Sequence, residues 1–388
     1  MKKRPSIFHR WKWRISVLAL LFFLALCGLR FPSSPGTMPM PAASIRATVP
    51  EKIGAPRIAL LFLARNRLAV EEVWDLFFKG AQEHLYSIYI HARPGFVYDA
   101  TNTESSFFWN RQINNSVMVE WGEASMIDAE RILLHRALQD ASLSHFVLLS
   151  DSCIPLYSFN YIYKYITSSP KSFVDSFIES KNTRYNFRMF PTVTHEKWRK
   201  GSQWFMLLRK HAEIVVGDSR ILLKFYEHCK RDMQPQAGRK YGMTTSENDC
   251  VPDEHYIQTL LAIKTVENEI ERRTLTYTLW KASDRRENDR WHPVTFNTAD
   301  VSAQTIKDIK GIHSVKYETE GRTEWCSCNG IPRACFLFAR KFSRGAVSKL
   351  LHNNETDFFG FAAGETAEGT NNITAMVTGV EQARSLSL

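Results

Sequence analysis

The sequence contains no G-x-G-x-x-G, no G-x4-G-K-[ST] and no G-x-S-x-G. Their absence removes the glycine-rich loops that cradle a dinucleotide or a nucleotide triphosphate, and the elbow that presents a hydrolase serine. Asp-x-Asp is also missing, so no acidic pair at that spacing can hold a diphosphate-bound cation. No internal repeat occurs, which excludes solenoids and propellers. Long apolar runs are scarce: the one of note is Ile15 to Leu29, so a polytopic membrane protein is excluded. A general basic excess is lacking too. The net charge is +10, but residues 1–30 hold seven basic residues and no acidic one, and the remaining 358 residues carry 43 basic against 40 acidic. Nucleic acid as a partner therefore loses its main support.

What is present is globular composition, 44% apolar and 23% charged, in 388 residues with 25 Phe, 10 Trp and 13 Tyr. That is enough large apolar surface for a sizeable core. Six of the seven N-terminal basic residues precede the apolar run, and Trp11, Trp13 and Phe31 extend it into the membrane interfaces. The pattern predicts a cytoplasmic tail over 1–14 and a transmembrane signal anchor over 15–31, with the rest lumenal. A cleaved signal peptide is disfavoured by the long charged segment before the run and by Arg30 directly after it. So short a span suits a thin Golgi bilayer. Residues 32–56 include Pro32, Pro35, Pro39, Pro41, Pro50 and Pro56, which predicts an extended stem. Residues 360–388, rich in Gly, Ala, Thr and Ser, read as a disordered tail.

Seven cysteines occur, one of them (Cys27) in the apolar run. The other six, Cys153, Cys229, Cys250, Cys326, Cys328 and Cys335, permit three disulfides in any of 15 connectivities. The Cys326-x-Cys328 spacing lacks the pairs usual for zinc, so no metal site is expected. Asn114, Asn354 and Asn372 open N-x-[ST] sequons and are glycosylation acceptors if the domain is lumenal.

Residues 57–350 read as alternating α/β, a mostly parallel sheet flanked by helices. Arg57–Ala64, Tyr86–His91, Val117–Trp121 and His145–Asp151 are the expected strands. A helical pattern over Leu68, Val73, Leu76 and Phe77 separates the first two. Ser125 opens another helix, with Ser125-x-x-Asp128 as a capping box and Ile127, Leu133, Leu134, Ala137 and Leu138 as its buried stripe. Parallel sheets bind ligands beyond the carboxyl ends of their strands, where Ser150, Asp151, Ser152 and Cys153 fall.

Four segments could carry chemistry. Pro252-Asp253-Glu254-His255-Tyr256 places two acids in the first turn of a helix, where the dipole favours anions. Lys200 to Phe205 sets small and polar residues before an apolar strand, Thr276 to Trp280 ends a strand on an aromatic, and Arg340-Lys341 follow an apolar stretch. Taken singly, each has a plain structural reading: a helix start, a turn, a core aromatic and a solvated edge.

Taken in order, Ala64-Arg65-Asn66, the run from Trp121 to Glu130, Leu149-Ser150-Asp151-Ser152-Cys153-Ile154-Pro155-Leu156, Gly201-Ser202-Gln203-Trp204-Phe205, Pro252-Asp253-Glu254-His255-Tyr256 and Phe338-Ala339-Arg340-Lys341-Phe342 resemble the plant branch of the core-2/I-branching β-1,6-N-acetylglucosaminyltransferase family. The resemblance covers about residues 55–350. It implies a GT-A-like fold and a type II Golgi membrane protein. It also implies an inverting, metal-independent glycosyltransferase, without cofactor, that moves N-acetylglucosamine from a UDP-sugar donor to a glycan or glycoprotein acceptor. It makes Glu254 the catalytic base, Lys341 and Arg322 the cations facing the donor diphosphate, and Trp280 an acceptor-side aromatic. Where animal members carry an Asp after the second strand, this chain reads His91-Ala92-Arg93, and some plant relatives transfer glucuronic acid. Two rival functions remain at this level: an inactive lumenal glycan-binding or scaffold protein on the same fold, and a glycoside hydrolase. The second needs two carboxylates flanking one bond, which neighbours such as Asp253 and Glu254 do not supply.

Overall fold

The computed structural model describes residues 54–179, 184–230, 250–280 and 292–352. The expected tail, anchor and stem before residue 54, the C-terminal tail, and Asn354 and Asn372 lie outside the described residues. Among those described, no helix is long and apolar enough to cross a membrane.

The strands are β1 (Arg57–Leu63), β2 (Tyr86–His91), β3 (Leu143–Ser150), β4 (Ile154–Pro155), β5 (Ser172–Phe173), β6 (Met206–Leu208), β7 (Ile270–Glu271), β8 (Thr276–Thr278), β9 (Ser314–Tyr317), β10 (Arg322–Trp325), β11 (Ser327–Cys328), β12 (Ile331–Pro332) and β13 (Phe338–Arg340). The helices are α1 (Glu71–Phe78), α2 (Ser125–Leu138), α3 (Phe159–Ser168), α4 (Arg209–Gly217), α5 (Arg220–His228), α6 (Tyr256–Ile263), α7 (Ala303–Lys310) and α8 (Arg344–His352). The main sheet has the order β2-β1-β3-β6-β5-β7. Its first three strands are parallel, β6 runs against β3 and β5, and β7 is parallel to β5. The mixed α/β expectation with a mostly parallel central sheet is thus met.

β1 is apolar throughout because both of its faces are covered. Ile58, Leu60 and Phe62 enter one core with Val73, Trp74, Phe77 and Phe78 of α1. Ala59 and Leu61 enter the other, with Ile127, Leu133 and Leu134 of α2 and Phe225 of α5. A second small sheet, β4-β13-β8, belongs to the first core. The Trp74 indole N–H ties it down by donating to the Cys153 carbonyl at 2.9 Å.

Three local expectations are corrected. Val117–Trp121 is not a strand; Met118 is 57% exposed, and Val117 N–H donates to His91 Nε2 at 3.1 Å instead of to a ladder. The capping box does not form. Ser125 is already the first residue of α2, and its hydroxyl accepts from Glu120 N–H at 2.9 Å. Two disulfides exist among the described residues rather than three, Cys229–Cys250 and Cys326–Cys335. Cys153 and Cys328 are free and buried, Cys153 beside β4 and Cys328 against the Tyr165 carbonyl, 3.4 Å away.

Candidate active site

The carboxyl ends of β1, β2 and β3 meet in one row of backbone bonds. Ala64 N–H donates to the His91 carbonyl at 2.9 Å, Asp151 N–H to Leu63 at 3.2 Å, and Arg93 N–H to Arg65 at 3.0 Å. This is the end of the sheet where α/β folds place ligands. The β13 strand delivers a second row beside it, because Phe342 N–H donates to the Ser152 carbonyl at 2.9 Å.

Arg340, at the end of β13, stacks on the Trp204 indole with its Cζ 4.5 Å from the ring centroid. Its Nε donates to Ser150 Oγ at 3.4 Å. Burial lowers its pKa, while Cys153, Asp151 and Asp253 act in the opposite sense. Arg340 therefore joins the β3 end to the turn that carries Glu254. Lys341 follows it, half-buried, and no ion pair among the described residues holds its ammonium. Trp280 lies two residues beyond Thr278, which pairs in register with Arg340, so Trp280 stands at the same end of the small sheet. It is 51% exposed.

The acids do not start an α-helix. Pro252–Glu254 is a separate 3-10 turn, and α6 begins at Tyr256. The Glu254 side chain is instead set by Lys200, whose Nζ is 3.6 Å from Oε2. Its carbonyl accepts from Gly201 N–H at 2.9 Å. Gly201 has no room for a side chain, since a Cβ there would come within 1.8 Å of the Asp175 carbonyl. Asp253 points inward and is 7% exposed. Burial pushes its carboxyl up to about 7; the neighbouring Glu254 charge adds to this and Arg340 opposes it. The Asp253 Oδ1 has no hydrogen-bond partner.

Arg322 is placed beside this turn but is fully engaged. Its Nε donates to Glu320 at 2.7 Å, its Nη1 to Glu324 and its Nη2 to the Ser176 carbonyl at 3.2 Å. The guanidinium also lies 3.9 Å from the Tyr317 ring centroid. Asp175 connects the two regions. It accepts from Tyr317 Oη at 2.6 Å and from Ser202 N–H at 2.8 Å. Burial raises its pKa, with Glu254 adding and Arg322 opposing. Asn114 is exposed on a turn. Among the described residues no three His, Cys, Asp or Glu side chains gather as metal ligands would.

The structure thus brings Glu254, Lys200, Asp253, Arg340 and the β3 end into one site. To the residues expected at the site the structure adds Arg340, which the sequence marks only as one of two cations at a solvated edge, together with Asp175 and Glu130. Glu130 carried a usable signal: it falls on the apolar stripe of α2, where an unpaired acid is costly.

With this geometry in place, the comparisons with known proteins are decisive. Residues 58–310 match the family model described as "Branch: Core-2/I-Branching enzyme". The chain belongs to the core-2/I-branching enzyme family, which makes it a glycosyltransferase. A rice (Oryza sativa subsp. japonica) relative named Glycosyltransferase BC10 is 52% identical over 305 residues, covering 77% of this chain and 76% of that one. The branching-enzyme match ends before Arg322 and Lys341.

Proposed function

We propose that this branching enzyme is an inverting, metal-independent transferase on a GT-A-like fold. It moves N-acetylglucosamine from a UDP-sugar to a hydroxyl of a glycan or glycoprotein. The apolar run Ile15–Leu29 and the basic residues ahead of it support a type II Golgi anchor with the catalytic domain in the lumen. The observation that carries the reading is one carboxylate, Glu254, held by Lys200 at 3.6 Å beside the carboxyl ends of the strands that deliver Ser150 and Arg340.

In a single displacement the acceptor hydroxyl attacks the anomeric carbon as UDP leaves from the opposite face. Glu254 takes the hydroxyl proton as the new bond forms. UDP departs with developing negative charge, and Lys341 supplies a fixed cation for it. Arg322 can share this role only by exchanging Glu320 or Glu324 for a phosphate oxygen. Trp280 offers an exposed ring on which the acceptor sugar can lie. No cofactor enters these steps. With no Asp-x-Asp in the chain, leaving-group charge falls to side chains.

The test is UDP release by the full-length chain from a panel of UDP-sugars that includes UDP-N-acetylglucosamine and UDP-glucuronic acid, with and without EDTA. Release from UDP-N-acetylglucosamine that survives EDTA is expected. Preference for UDP-glucuronic acid overturns the donor assignment, and loss on chelation with recovery on manganese overturns metal independence.

A further inference from the structure

Glu130 stands on α2 among Ile127, Leu133 and Leu134 and is 1% exposed. Its Oε1 accepts from Gln203 Nε2 at 2.8 Å. Gln203 belongs to the same loop as Gly201, whose N–H holds the Glu254 carbonyl, and Ser202, whose carbonyl accepts from Gln258 at 3.0 Å. Trp204, the next residue, carries the Arg340 guanidinium. One buried acid thus anchors the loop from which the Glu254 turn hangs. A second acid, Asp253, lies on that turn, which packs directly against α2, and its charge raises the Glu130 carboxyl further above the level that burial sets.

We propose that Glu130 and Asp253 are positioning residues for the Glu254 turn: a buried acid pair that keeps at least one proton between them, with Glu130 fixing the 201–205 loop through Gln203. The proposal rests on the reading of Glu254 as the base. Two carboxylates in a low-dielectric pocket cannot both ionise cheaply, and their protons are a property of the pair. The charged groups facing them are Glu254 on the same turn and Arg340 from β13. Arg340 also faces Asp151, so it cannot offset two further anions. Burial holds Glu130 well above the ordinary carboxylate range and pushes Asp253 up to about 7. Full ionisation would set like charges on the two sides of the loop–turn junction and push the turn off Gly201.

A neutral acid has a neutral isostere, and this separates a proton-holding role from a charged one. Infrared titration of the full-length chain, with isotope-labelled aspartate or glutamate carboxyls, reads the protons directly. A protonated-carboxyl band is expected to persist at about pH 6, its aspartate part reduced in Asp253→Asn and its glutamate part lost in Glu130→Gln. Complete ionisation of the wild-type carboxyls there overturns the proposal, whatever the activity. In turnover, Glu130→Ala is expected to lower kcat at least about tenfold with donor KM within about threefold, and Glu130→Gln to restore most of the loss. Wild-type kcat in folded Glu130→Ala overturns the positioning role, as does Glu130→Gln as damaging as the alanine. Should Glu130→Ala fail to fold, the infrared titration and Glu130→Gln decide. Failure of the base assignment shows elsewhere, as near-normal turnover in folded Glu254→Gln.

Discussion

Glu254 and Asp253 differ by one position and by almost everything that matters chemically. Glu254 reaches solvent, with Lys200 at 3.6 Å; Asp253 is buried, with one oxygen unpartnered. Only the first can meet an acceptor hydroxyl. Replacing Glu254 with Gln keeps its size and removes the proton acceptor, so kcat is expected to fall at least about 100-fold. Donor binding, read as the donor-induced rise in melting temperature, should persist. Asp253→Asn should cost less, because an amide resembles the protonated acid. Near-normal turnover in Glu254→Gln with the fold intact would return the turn to a purely structural part.

At the scale of elements, the site depends on one glycine. The 199–203 segment is pinched between the 175–177 segment and the Glu254 turn: Lys200 exchanges backbone bonds with Phe177 at 2.8 and 2.9 Å, while Gly201 N–H reaches across to Glu254. A Cβ on Gly201 meets backbone, the Asp175 carbonyl carbon at 2.5 Å, and backbone cannot rotate away as a side-chain tip can. Gly201→Ala should therefore cost about 1–3 kcal/mol of stability. It should also lower kcat more than stability alone explains, because the displaced loop carries the Glu254 carbonyl with it. Parallel melting and kinetic measurements decide this; unchanged values in both would show that the loop can move aside.

The same elements mark what was legible in the sequence. β1 and β3 could be read because burial on both faces forces nearly continuous apolar runs, and β2, at the sheet edge, because its buried and half-buried residues alternate. Val117–Trp121 has similar composition but serves as coil pinned by the His91 ring, a partner no local pattern reveals. β5 and β7 are two residues each, too short for any periodicity. In the site, Glu254 was legible as an acid beside a Pro-initiated turn. Arg340 was not, because what takes it off a solvated edge is the Trp204 ring, distant in sequence. Glu130 could be picked out as an acid on the apolar stripe of α2, but its partner Gln203, 73 residues away, could not.

For the molecule as a whole, buried titratable groups set the pH response. Burial lowers His91 and His145 from the ordinary 6.5 to about 4, lowers His211, and holds His255 well below 6.5. Each is packed as a neutral ring; His255, for example, stacks on Trp198 at 4.5 Å with Nδ1 2.8 Å from the Arg199 carbonyl. Above pH 6.5 both folded and unfolded forms of these histidines are neutral, and their contribution is complete. Below it the unfolded chain binds protons that the folded chain refuses, so stability is lost as the pH falls toward about 4. Asp253, Glu130 and Asp175 act in the opposite direction. Their raised values mean the folded chain keeps protons the unfolded chain gives up, so they add stability as the pH falls through about 7 for Asp253. Asp75 belongs with these carboxyls, because burial raises it as well. Asp253→Asn deletes one opposing group. It should melt higher than the wild type above neutrality, where the buried carboxylate is a penalty, and should fall more steeply on acidification. Melting curves of the two proteins across this range test the argument, and parallel profiles would show that Asp253 does not titrate inside the folded chain.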